Sequence, residues 1–144
     1  MSRINIELPF RILSKKNSKN IVVAGNGRRY VVSNESYKDF EKMAVEYILY
    51  TILPRIKTLP KPPYKVGYDI YFKGKYEADL DNLIASINDI LERAGIVDND
   101  KHITEYLTPT RFTNCYEKFT ALVTVEGSDG GAKNIDRTAQ SGKR

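Results

Sequence analysis

Asp79 and Asp81, two residues apart, and Asp100, nineteen residues further on, are the side chains whose type and spacing best suit chemistry in this chain. In an extended segment residues two apart project to one side, whereas on a helix they diverge by about 200°. A strand-like approach lasting through Asp81 makes the Asp79 and Asp81 carboxylates converge, and Asp100 adds a third if its loop folds back. Oxygen-only donors of this kind suit a hard divalent cation, Mg²⁺ or Mn²⁺. Converging carboxylates repel, and a cation relieves the repulsion. Such a cation activates water and stabilises charge on a phosphodiester under attack. A plainer reading stands beside this one. Asp79 or Asp81 caps a helix, worth ~1 kcal/mol, and Asp98-Asn99-Asp100 forms a turn, where Asx side chains are favoured.

The acidic residues border a helix. Leu80, Leu83, Ile84, Ile87, Ile90, Leu91 and Ala94 recur at helical spacing, and Gly95 stands where a left-handed C-terminal residue is expected. A helix cannot bring its own ends together, so the loop after Gly95 must fold back for Asp100 to meet Asp79 and Asp81. Asp89 and Glu92 fall on the solvated face, and His102 and Cys115 read as an incidental surface histidine and an ordinary buried or edge residue.

Around that helix the pattern predicts one α+β domain: a small mixed or mostly antiparallel β-sheet packed with two main helices. Ile4, Ile6 and Leu8 alternate with polar residues, a half-buried strand ending near Pro9. Ser14 to Asn20 reads as a polar, basic loop. Ile21–Ala24 and Arg28–Val32 form a hairpin over Gly25-Asn26-Gly27, residues that tolerate the positive φ of tight turns. Ser33 or Asn34 caps a helix from about Glu35 to Thr51. Tyr37, Phe40, Ala44, Tyr47, Ile48 and Thr51 form its inward stripe, which assigns the aromatics to the core and not to base stacking. Pro54, Pro60, Pro62 and Pro63 mark a connection. Val66, Tyr68, Ile70 and Phe72 alternate as a long strand, Ile103–Thr108 is extended, and Phe119–Val125 is the final strand. Residues 1–126 are the folded domain, and 127–144, without apolar pattern, read as a disordered tail.

The net charge of +5 is uneven. Residues 1–65 hold 13 Lys or Arg against five acids, hence +8, which leaves −3 for the rest. A basic half beside an acidic cluster suits a polyanion brought to a metal site; a solvated charged surface is the alternative. No run approaches the roughly 18 apolar residues of a membrane span. There is no signal-peptide pattern and a single cysteine, so a soluble intracellular protein is expected.

The run Asp79-Leu80-Asp81-Asn82-Leu83, the helix, Ala94-Gly95-Ile96 and Asp100 together resemble the RusA family of Holliday-junction resolvases (crossover junction endodeoxyribonucleases). The Leu8-Pro9 strand end, the Ser14 to Asn20 loop and the strand–Ser33–helix order are similar more loosely, so the resemblance spans roughly residues 4–126. It implies a homodimeric endonuclease of the cytoplasm and nucleoid, bacterial or phage-encoded, that acts in DNA recombination and repair. Its activity would be resolution of four-way DNA junctions by paired nicks with Mg²⁺ or Mn²⁺. Carried over by position, Asp79, Asp81 and Asp100 are the catalytic, metal-binding carboxylates. The basic residues Lys15, Lys16, Lys19, Arg28 and Arg29 are expected to contact backbone phosphates.

Ala85 departs from the pattern, which has a functional lysine there, and Asn99 stands where a further aspartate is frequent. A lysine could stabilise developing phosphate charge or position water. Lys73, Lys75 and Lys101 are the sequence-near cations for replacing it or contacting DNA. Without one, the alternative is a non-catalytic binder of branched DNA. A sugar-nucleotide transferase with an Asp-x-Asp site fits less well, because no Gly-rich nucleotide-binding segment is visible.

Overall fold

Three strands with alternating apolar residues supply the sheet's side of the core. In a computed structural model, which describes residues 1–14, 19–23, 29–33, 35–73, 79–114 and 119–129, β1 (Ser2–Leu8), β4 (Lys61–Phe72) and β6 (Thr120–Ser128) turn one face to the core. Ile6, Leu8, Tyr64, Val66, Tyr68, Ile70, Ala121, Val123 and Val125 form that face, each buried. With β5 (Ile103–Asn114) they make a four-stranded mixed sheet in the order β1-β6-β4-β5. β6 is antiparallel to β1 and β4, while β5 is parallel to β4. The chain is a single small α+β domain, as its periodicities predict.

Two helices cover the apolar face. α1 (Glu35–Tyr47) buries Tyr37, Phe40 and Ala44. It stops short of the expected Thr51, because Ile48–Ile52 widens into a π-helical turn. A 3₁₀ turn over Leu53–Arg55 follows, with Pro54 inside it. A prolyl residue has no amide to continue the α-helical ladder. α2 (Leu80–Arg93) buries Leu83, Ile84, Ile87, Ile90 and Leu91. β2 (Lys19–Val23) and β3 (Arg29–Ser33) form the expected hairpin, except that Lys19 and Asn20 belong to the strand and not to the preceding loop.

Three further boundaries differ from expectation. Pro62 and Pro63 lie inside β4, where the pairing with β6 skips from Lys61–Ser128 to Lys65–Glu126, so the missing amides fall in an interrupted part of the ladder. β5 extends to Asn114 instead of ending near Thr108; it carries a bulge in which Leu107, Thr108 and Pro109 stand against Gly67 alone. Thr110 Oγ1 donates to Leu107 O at 2.6 Å across that bulge. Gly127 and Ser128 belong to β6 and not to a tail, because Gly127 packs where any Cβ would strike the Lys61 carbonyl. The Met1 amino group meets Asp129 at 3.1 Å, tying the start of β1 to the end of β6. The expected Gly25-Asn26-Gly27 turn, the Asn34 cap, the 74–78 lead-in, Cys115 and residues 130–144 lie outside the described residues.

Candidate functional site

The direction of α2 decides how the aspartates are arranged. Tyr68 in the middle of β4 donates its hydroxyl to Asn88 Oδ1, and Tyr64 nearer the strand's start accepts the Asp98 amide at 3.2 Å. α2 therefore runs back along β4, and its N-terminus lies toward the Phe72 end, where the parallel β4 and β5 finish. Ligand sites of open sheets favour the carboxyl ends of parallel strands.

Asp79 occupies the N-cap position with extended backbone (φ −78°, ψ 157°), and its carbonyl accepts the Leu83 amide at 3.1 Å. Its carboxylate makes no capping hydrogen bond. Asp81 lies in the first helical turn, where Oδ1 accepts the Asn82 amide at 3.1 Å. Extended backbone therefore stops at Asp79 and does not reach Asp81, because Leu80 is drawn into the helix to pack against the core, so the condition expected to make the two carboxylates converge is not met. Both aspartates are exposed, and the helix N-terminus favours their negative charge.

The loop after α2 does turn back. Gly95 has φ +80°. Its amide donates to Glu92 O at 3.1 Å and the Ile96 amide to Leu91 O at 2.9 Å, a Schellman closure that buries Ile96 and Val97. Asn99 then caps a 3₁₀ turn over Asp100–His102, its Oδ1 accepting the Lys101 amide at 2.9 Å. The Asp100 amide donates to Glu92 Oε1 at 3.0 Å. The return thus ends at the last turn of α2. Glu92 follows Asp81 by eleven residues, which at 1.5 Å per residue is about 16 Å along the axis. Among the described residues no three His, Cys, Asp or Glu side chains come together as a metal group, so Asp79, Asp81 and Asp100 do not meet within the chain. Topology explains the separation. Asp79 follows β4, Asp100 precedes a parallel β5, and the crossover helix holds them apart.

Asp81 heads one flank of α2, and Asp100 meets the far end of that flank through Glu92. Asp81, Ala85, Asn88 and Glu92 follow at intervals of four, three and four residues, one stripe down the helix. Beside Asn88 lie the fully buried Tyr68 and, edge-on to it at 5.6 Å and 88°, the exposed Tyr106 of β5. Burial pushes the Tyr68 phenol far above its ordinary range, and Tyr106 and the charge of Asp100 push it further. Ala85 is exposed in the middle of the stripe.

Of the expected cations, Lys73 is exposed at the end of β4 and Lys101 is exposed beside Asp100. Lys19 and Arg29 lie in the hairpin, opposite Ser33 and Val23. Lys15, Lys16, Arg28 and Lys75 lie outside the described residues. His102 is a surface residue, as expected, but it is not idle: Nδ1 meets Asp98 Oδ1 at 2.8 Å, and this hydrogen bond holds the Asp98 carboxyl below the usual range. Asp89 is half-buried and pairs with Arg93 at 3.3 Å, which also meets Glu41 of α1 at 3.3 Å.

The pattern missed Tyr68, Asn88 and Tyr106, although Asn88 lies seven residues after Asp81 on the same face. It also missed the open face of the sheet. There Asp69 is held by Arg111 Nε and Nη2 at 2.9 and 3.2 Å and by Tyr71, and Glu126 is held by Arg3. Compared with known protein families and with curated proteins, the chain matches none.

Proposed function

We propose that this chain is a metal-dependent, structure-selective endodeoxyribonuclease that resolves four-way DNA junctions by nicking phosphodiesters, in recombination and repair. The observation that carries the reading is Asp79. It sits where a helix cap is expected, keeps its carboxylate out of the cap, and precedes Asp81 by two residues at the carboxyl end of a parallel strand pair. Mg²⁺ is usually bound by one or two carboxylates with substrate phosphates and water completing its shell. Asp79 and Asp81 are two exposed carboxylates of that kind, two residues apart; among the described residues the three-aspartate set does not come together within the chain.

When bound, Mg²⁺ or Mn²⁺ would supply a polarised water and countercharge for the phosphodiester. Asp79 and Asp81 would hold it, and Asp100, anchored at the other end of α2, would not share it. Lys73, Lys101, Lys19 and Arg29, with Lys15, Lys16, Arg28 and Lys75, would meet backbone phosphates. The expected homodimer suits the two-fold symmetry of a four-way junction, and the setting would be the cytoplasm and its DNA. No helix among the described residues is long and apolar enough to cross a membrane.

The exposed Ala85 and the separation of Asp100 favour a second reading, a binder of branched DNA that does not cut. The deciding experiment incubates a labelled four-way junction and a matched duplex with the protein and Mg²⁺, Mn²⁺ or EDTA, beside Asp81→Asn. Metal-dependent nicks on the junction, absent in the variant, support the nuclease. Retention without nicks supports the binder, and neither result on either DNA removes both readings.

A further inference from the structure

Tyr106 is 55% exposed, yet its ring is fixed in place. It meets the ring of Tyr68, which is 0% exposed, edge-on at 5.6 Å, and Tyr68 is itself tied to Asn88 of α2. An aromatic ring left open while its neighbour is locked offers a preorganised flat surface. Its place is specific. In the β4–β5 register Tyr106 stands opposite Val66, on the side of the sheet that α2 covers, beside the Asn88 and Glu92 half of the stripe that begins at Asp81. The exposed ammonium of Lys101 lies one short turn earlier in the chain.

We propose that Tyr106 is a stacking platform for an unpaired nucleobase of the DNA bound along α2. The inference rests on the nuclease reading and adds how a branched substrate is told from a duplex. At a branch point bases lose a stacking partner, and an open ring supplies one, with little dependence on sequence because every base has a π-face. A base held on Tyr106 leaves its own strand leading along α2 toward Asp81. Tyr50, 77% exposed on the π-helical turn after α1, is more open still but has no such place, and it serves as the control.

The test measures binding in EDTA, without cutting, of a four-way junction carrying 2-aminopurine at the branch and of a matched duplex. The proteins are wild type, Tyr106→Ala, Tyr106→Phe, Tyr106→Leu and Tyr50→Ala. The expected result is fluorescence quenching on junction binding by wild type, Tyr106→Phe and Tyr50→Ala. Quenching is lost in Tyr106→Ala and Tyr106→Leu, with junction affinity roughly tenfold weaker. Duplex affinity and the salt slope stay unchanged, since no phosphate contact is removed. Tyr106→Leu keeps an apolar contact on Tyr68, so loss in both variants is not a folding defect. Junction binding and quenching unaltered in Tyr106→Ala overturn the platform while the nuclease reading stands. If wild type binds neither DNA, both fall.

Discussion

Glu92 accepts the backbone amide of Asp100 at 3.0 Å, and this side-chain hydrogen bond pins the turn that leads into β5 to the last turn of α2. The candidate aspartates are split between the two ends of that helix, Asp79 and Asp81 at one and Asp100 at the other. Glu92→Ala should release the Asp98–His102 turn at a cost of about 1 kcal/mol. Amide hydrogen exchange at Asp100 should accelerate, while Glu92→Gln, which keeps an acceptor oxygen, should protect it nearly as well as wild type. Equal exchange rates in all three proteins would mean that the loop is held by Asn99 and Tyr64 alone.

Asp79 offers a separation of stability from chemistry. Replacing a working N-cap aspartate by alanine typically costs ~1 kcal/mol. Because the Asp79 carboxylate makes no capping bond, Asp79→Ala should shift urea unfolding by less than about 0.5 kcal/mol. Asp79→Asn and Asp81→Asn should nevertheless abolish metal-dependent nicking and leave junction binding intact. A full capping loss in Asp79→Ala would assign the residue to helix formation.

Ala85 is exposed in the middle of the α2 stripe. Ala85→Lys should therefore leave stability within about 0.5 kcal/mol. On the nuclease reading it should raise the rate of junction nicking, and steepen the log–log salt dependence of binding by about 0.9 if the new ammonium meets one phosphate. Gel-shift titrations at several salt concentrations read the slope. An unchanged slope and rate would place the DNA elsewhere.

Gly95, at φ +80°, closes α2. Gly95→Ala should destabilise by about 1–2 kcal/mol, the cost of a left-handed conformation for an L-residue. There is open space around the position, so strain and not collision would account for the loss in a denaturant midpoint.

Acid should loosen the same loop. The hydrogen bond from His102 lowers the Asp98 pKa below its unfolded value. A depressed carboxyl stabilises the fold above the unfolded pKa, and that contribution disappears as pH falls from about 4 through the lower folded value. NMR titration of the Asp98 carboxyl should show this, and His102→Ala should move the midpoint up toward the ordinary range. A midpoint unaffected by the histidine would leave the pairing without weight.

Much of the fold is legible in local periodicity. β1, β4, β6 and the apolar face of α2 follow directly from alternation and helical spacing, and Gly95 from its place after Ala94. The departures come from contacts between distant residues. Pro62 and Pro63 read as breakers, yet an interruption in the ladder with β6 accommodates them. β5 reads short because a bulged edge strand has no clean alternation. The aspartates were visible as residue types. Their separation was not, since spacing along the chain does not say that β4 and β5 are parallel, and only that relationship sends Asp79 and Asp100 to opposite ends of the crossover helix.

The bulge at Leu107–Pro109 also bears on how copies of this protein behave in a crowded solution. A sheet has two outer rims, and a straight rim invites another chain to extend it. The β5 rim is broken by residues that step out of register against Gly67, so a neighbouring strand finds no continuous ladder to copy. Among the described residues the β1 rim runs without a break from Ser2 to Leu8, and the exposed charge of Glu7 discourages such growth. Aggregation through edge pairing would therefore begin on the β1 side.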